Sequence, residues 1–157
     1  MSEKFPNLKY KLFALRLLVG GFFVWVGVDK VMEPQQNFLY VIQGYQIFPE
    51  FFEGIIAVIF PWIELFMGIF LLLGLWTKWV LRAYLLVIFA FILIICQALI
   101  RKLPIKFCGC FGGLFSSDIQ NTLIFDICLW ALVYIMLRVS DKMGFFSLDK
   151  YFSEKKN

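Results

Sequence analysis

Four stretches of the chain are almost purely apolar, and three less apolar segments separate them. The hydrocarbon core of a bilayer takes roughly 20 residues of helix. The pattern therefore predicts four membrane-spanning helices, at about 12–32, 54–75, 80–100 and 119–137. Within two of them the small and polar positions recur at spacings of three and four, the spacing of one helix face. In the first, Arg16, Gly20, Phe23, Gly27 and Lys30 share a face; in the second, Gly54, Ala57, Pro61, Glu64 and Gly68 do. The expectation is an all-α polytopic membrane protein, a four-transmembrane-helix bundle over 12–138. A short tail precedes it (1–11) and another follows (139–157).

The first stretch also has the look of a signal peptide, with Lys9 and Lys11 ahead of an apolar run. No small-x-small cleavage site follows; Val28-Asp29-Lys30 stands there instead, so a retained helix is expected. Between the first two spans, "NFLYVIQGYQIFPEFF" reads as an aromatic stretch lying in the interface over the outer face, a candidate lid.

Composition supports this picture. Hydrophobic residues make up 62% of the chain and charged ones 17%, against roughly half and a quarter in soluble domains. The 20 Phe and 5 Trp suit lipid-facing walls and interfacial belts. There is no histidine. That removes Ser-His-Asp triads, imidazole proton shuttles and His-ligated zinc or haem. The net charge of +4 does not point to nucleic acid, because the basic residues lie at the ends of the spans.

Those basic residues predict an orientation. With the N-terminus inside, 11 of the 15 Lys and Arg fall on the inner side, leaving Lys30, Arg101, Lys102 and Lys106 outside. The positive-inside rule then makes both termini cytoplasmic. The protein would be a multi-pass component of the plasma (inner) membrane, with the 101–118 loop on the outer face, where disulfides persist.

Ionisable groups inside lipid are expensive and need a reason. Counting from the predicted span edges at about 1.5 Å per residue, Glu64 lies ~15 Å below the outer edge and Asp126 ~10 Å below it. Arg16 starts ~6 Å above the inner edge, and its long side chain would climb ~9 Å towards Glu64. The expected pairs are Arg16 with Glu64 and Lys30 with Asp126. They either fix helix register or serve as a proton relay or a polar cofactor contact. Gln97, which shares a face with Ala83 and Ala90, is expected to hydrogen-bond between helices.

The candidate chemistry is in "PIKFCGCFGG". Cys108 and Cys110 can pair only if the chain turns sharply between them, and Gly109 allows that turn. A disulfide in so short a loop tends to be strained, and strained disulfides exchange readily. Arg101, Lys102 and Lys106 favour thiolate, the reactive form. An outward-facing dithiol/disulfide couple, a static bridge shaping the loop and a thiolate site for a soft metal all fit these residues. Cys96 and Cys128 sit in apolar helices and are expected to behave as small buried hydrophobes. Cys96, near the outer end of its span, could support the pair.

Taken together, "RLLVGGFFVWVGVDKVMEP", "PWIELFMGIFLLLGL" and "RKLPIKFCGCFGG" resemble the MauE/DoxX family of small four-helix membrane proteins. The likeness covers most of the chain, and the CGCFG segment points to the MauE branch. The resemblance implies a role beside methylamine dehydrogenase maturation, forming or transferring disulfides with a thioredoxin-like partner. It implies that Cys108 and Cys110 are the exchanging pair and that Arg16, Lys30, Pro61 and Glu64 occupy recurrent family positions. One departure stands out: relatives often carry Arg followed by Asn or Asp early in the fourth helix, where this chain has Phe125-Asp126. Electrons taken from an outer thiol protein would pass to a membrane quinone, an expectation drawn from architecture alone. The competing reading is a non-catalytic membrane scaffold or anchor for a soluble oxidoreductase. A proton-coupled transporter is weaker still, since the two halves show no repeat.

Overall fold

A computed structural model of the chain describes residues 6–103 and 119–140. Among them are five helices and no strands: α1 (Pro6–Met32), α2 (Gln35–Tyr45), α3 (Glu50–Leu73), α4 (Thr77–Ile100) and α5 (Ile119–Val139). Tyr10–Met32 of α1, together with all of α3, α4 and α5, is long and apolar enough to cross a membrane. The chain is therefore an all-α protein with four helices fit to span a bilayer. Its outer surface carries large apolar side chains such as Leu18, Trp25, Leu86, Leu93 and Ile124. In water such a surface would aggregate; in lipid it is solvated.

Pairing of α1 with α3 is the central contact of the fold, and glycine sets it. A Cβ on Gly27 would lie 2.8 Å from Leu65 Cα, and one on Gly68 would lie 2.8 Å from the Val24 amide nitrogen. At Gly20 the neighbour is the Leu72 side chain, at 3.0 Å. The contacts 20/72, 24/68 and 27/65 define an antiparallel register with backbones in near contact. In lipid, where no hydrophobic effect drives helices together, close packing of small residues supplies much of the attraction. Gly21 and Gly54 have nothing within 4 Å and take no part in it.

The stretch 33–53 is more ordered than an interfacial coil. Pro34 precedes α2, whose Ile42 and Tyr45 are buried while Gln35, Gln36, Tyr40 and Gln43 face outward. It packs chiefly on α3. Helix α3 starts at Glu50, earlier than the expected 54, because Pro49 stands just outside it. Glu50 and Glu53 also suit the positive end of its dipole. Its far end closes on Gly74 at φ 67°, with the Gly74 amide donating to Leu71 and Leu75 to Phe70, a Schellman cap. The same pattern ends α4, with Lys102 at φ 51° and Leu103 donating to the Ala98 carbonyl.

Helices α4 and α5 pack together, tied by the Trp130 indole, which donates to the Leu85 carbonyl at 3.2 Å. Arg101 reaches across from the end of α4 to Gln46, just past α2, with bonds of 3.4 Å to its carbonyl and side-chain oxygens. The α2 end of the bundle is thus also the end where α4 finishes and α5 begins. The opposite end carries the exposed Lys78, Arg82 and Arg138. Arg82 lies over the Trp79 ring at 5.1 Å, and Arg138 bonds the Tyr134 hydroxyl.

Candidate functional site

Lys30 occupies the last turn of α1, on the face it shares with Arg16, Gly20, Phe23 and Gly27, and all five are buried. Helix α3 presents Ala57, Pro61, Glu64 and Gly68, also buried. The Gly27–Leu65 crossing brings these faces together one turn from Lys30. Its Nζ donates to Glu64 Oε2 at 2.7 Å, with both side chains buried. Pro61, having no amide proton, cannot bond the carbonyl of Ala57 one turn earlier.

Every other helix adds a residue to this pair. From α4, the Tyr84 hydroxyl donates to the Glu64 backbone carbonyl at 3.4 Å, and its ring stacks on Phe23 with centroids 3.9 Å apart. From α5 comes Asp126, also buried and within the field of the Lys30 charge. Its Oδ2 has no hydrogen-bond partner. From α2 comes Tyr45, whose hydroxyl is pushed up to about 12, first by burial and then by the Asp126 charge. Tyr45 therefore keeps its proton at any physiological pH. Phe38 of α2 and Phe60 of α3 place their ring centroids 5.4 and 5.6 Å from the Lys30 ammonium, close enough for cation–π attraction. One ammonium thus serves two carboxylates and two aromatic rings.

The expected pairing of Arg16 with Glu64 is not what forms. Arg16 precedes Lys30 by 14 positions, roughly 21 Å along the helix axis, so it lies far below the Glu64 level. It is 1% exposed, with its guanidinium 5.1 Å from the Phe13 ring centroid. The error came from measuring depth from assumed span edges, whereas the glycine crossings set the register. Lys30 does lie near Asp126, but its hydrogen bond goes to Glu64.

Two other expectations change. Cys128 is exposed on the outside of the bundle, not buried, and Cys96 is half-buried. Gln97 makes no interhelical bond through its side-chain oxygen, which is buried without a partner. Cys108 and Cys110 lie outside the described residues, as do 1–5 and 141–157.

Beside the cluster, α2, α3 and α4 enclose a cavity of about 250 Å³. Phe38, Val41 and Tyr45 line it from α2, Ile56 and Phe60 from α3, and Phe91 from α4. Sequence reasoning passed over Tyr45, Tyr84, Phe38 and Phe60. For the tyrosines a signal existed: a phenol in an apolar segment must find a partner for its hydroxyl. For the phenylalanines there was none, because nothing marks 2 of 20 Phe as neighbours of a cation.

Over residues 8–139 the chain matches the family model described as methylamine utilisation protein MauE. No curated protein and no solved structure matches it.

Proposed function

The chain belongs to the MauE family, and from that premise we propose that it is a membrane component of thiol–disulfide exchange, with Cys108 and Cys110 as the exchanging pair. One observation carries the reading. The chain enters segment 104–118 from Leu103 and leaves it at Ile119, both at the α2 end, opposite the exposed Lys78, Arg82 and Arg138. That opposite end also carries the exposed Lys11, against the exposed Arg101 and Lys102 at the α2 end, so the positive-inside rule favours it as the cytoplasmic one. The cysteines then belong to the oxidising side of the membrane.

In this reading a thiolate of a soluble, thioredoxin-like partner attacks the Cys108–Cys110 disulfide. One sulfur leaves as thiolate and a mixed disulfide forms. The partner's second thiolate resolves it, leaving the partner oxidised and this protein as a dithiol. The matching family is described as methylamine utilisation protein MauE, and maturation of methylamine dehydrogenase is the setting we propose for the exchange. The cluster of Lys30, Tyr45, Glu64, Tyr84 and Asp126 takes one side chain from each helix, and so fixes α2 and α5 against the α1–α3 pair. It serves as the frame from which the cysteine segment is presented.

The test is to replace Cys108 and Cys110 singly by Ser and look for covalent adducts on non-reducing gels. Exchange predicts that one variant accumulates a mixed disulfide with an extracytoplasmic protein, removed by reductant. A pair that stays oxidised under all conditions and captures nothing would make the cysteines a static bridge and the protein a scaffold.

A further inference from the structure

We propose that the cavity between α2, α3 and α4 holds one acyl chain of a phospholipid from the leaflet at the α2 end, with the phosphate of that lipid on Arg101. The site stands whether or not the cysteines exchange disulfides.

The lining selects a chain. Apart from the Tyr45 hydroxyl its side chains are hydrocarbon, from Phe38 and Phe48 to Ile56, Val87 and Ile94. A buried water needs roughly two to four polar partners, so water does not fill such a space. Left empty, it forfeits the dispersion contacts of its walls. Ala90, near the middle of α4, and Phe48, just past α2, line it and are also exposed. The cavity is therefore open at the side of the bundle, where the surroundings are lipid. At roughly 30 Å³ for a group the size of a water molecule, the volume of about 250 Å³ takes about eight methylenes.

Arg101 stands where the head of that lipid would lie. It donates to the Gln46 carbonyl and side-chain oxygens at 3.4 Å, and Gln46 falls between Tyr45 and Phe48, which both line the cavity. Along α4, Arg101 follows Ile94 by 7 positions and Ala90 by 11, roughly 10 and 16 Å. One leaflet's share of the hydrocarbon core is about 15 Å. The cavity thus lies at the depth of an acyl chain whose phosphate is level with Arg101.

The charge at this end fits a phosphate. The bonds to Gln46 are long and leave Arg101 with further N–H donors. Among the described residues, no carboxylate forms an ion pair with Arg101 or with Lys102 beside it. At the opposite end, by contrast, Arg82 covers the Trp79 ring and Arg138 bonds the Tyr134 hydroxyl. A guanidinium fork matches phosphate oxygens, and two adjacent cations favour a head of net negative charge. Glu50 and Glu53, the acids at the start of α3, are compensated in part by the positive end of their own helix.

The test uses full-length protein in dodecyl maltoside micelles, with phosphatidylglycerol that carries a diazirine midway along one acyl chain. After illumination, mass spectrometry is expected to find label concentrated in 38–48 and 87–94. Unlabelled phosphatidylglycerol should displace it, and phosphatidylcholine, whose own cation is repelled there, should do so less well. Ala90→Trp, which plugs the side opening, should lower the label about tenfold. Arg101→Gln, which leaves the cavity intact, should lower it about tenfold at limiting lipid. Ile124→Trp, on the exposed face of α5, should label like the wild type. Glycerol 1-phosphate, a head without a chain, should not compete. Label spread over all four spans, or unchanged by Ala90→Trp, would overturn the site. Unchanged label in Arg101→Gln, or equal displacement by the two lipids, would overturn the phosphate contact. Displacement by glycerol 1-phosphate would make the ligand a free phosphate and overturn the lipid.

Discussion

Replacing Lys30 by methionine removes the ammonium bonded to Glu64 at 2.7 Å and leaves a carboxylate 6% exposed with Asp126 nearby. Loss of one partner from a buried pair costs about 3–5 kcal/mol, because the remaining charge keeps its desolvation penalty without its attraction. That is about a 100-fold to several-thousand-fold fall in the ratio of folded to unfolded protein. Replacing both, as Lys30→Met/Glu64→Leu, removes the bare charge and should recover at least half of the loss. The assay is reversible unfolding in mixed micelles, followed by circular dichroism, with all four corners of the double-mutant cycle. Arg16→Met supplies the control: combined with Glu64→Leu it should give a coupling energy within about 0.5 kcal/mol of zero, as for well-separated sites. A Lys30→Met protein as stable as wild type, or an Arg16–Glu64 coupling as large as that of Lys30–Glu64, would refute the assignment.

Other outcomes follow from the same geometry. Gly27→Ala pushes a methyl into the Leu65 backbone and should cost about 1–3 kcal/mol. Gly21→Ala, with open space beside it, should be neutral or gain up to about 1 kcal/mol in the same unfolding assay. Burial holds the Tyr45 proton to about 12 against 10.0 for the unexceptional group. The folded state therefore keeps full stability from this group below pH 10 and loses it as pH rises from 10 to about 12. The difference in phenolate absorbance between wild type and Tyr45→Phe reads the titration directly, and Asp126→Asn should lower its midpoint. Arg101→Ala removes only long, exposed bonds to Gln46 and should change stability by less than about 1 kcal/mol.

The helix faces were readable from spacing alone. Arg16, Gly20, Phe23, Gly27 and Lys30 recur every three or four residues, as do Gly54, Ala57, Pro61, Glu64 and Gly68, and the fold buries all of them but Gly54. Spacing along one helix says nothing about its height against another, so the partner of Glu64 was misread. That height comes from Gly27 meeting Leu65 and Gly68 meeting Val24, contacts between segments some 40 positions apart. Helix α2 was hidden for a different reason. Its apolar residues are diluted by glutamines, which suits a helix half in contact with α3 and half exposed. Cys128 was misplaced because a helix apolar all round does not reveal which side faces lipid. The Cys-Gly-Cys stood out by residue type and needed no fold to be noticed.

The most direct test of the account is the side of the membrane on which Cys108 and Cys110 emerge. In a Cys96→Ser/Cys128→Ser background, intact cells are treated with reductant and then with a membrane-impermeant maleimide. Labelling of both remaining cysteines without permeabilisation, and its loss when the reductant is omitted, is the expected result. Labelling that appears only after the membrane is opened would put the pair in the cytosol and remove the basis for disulfide exchange.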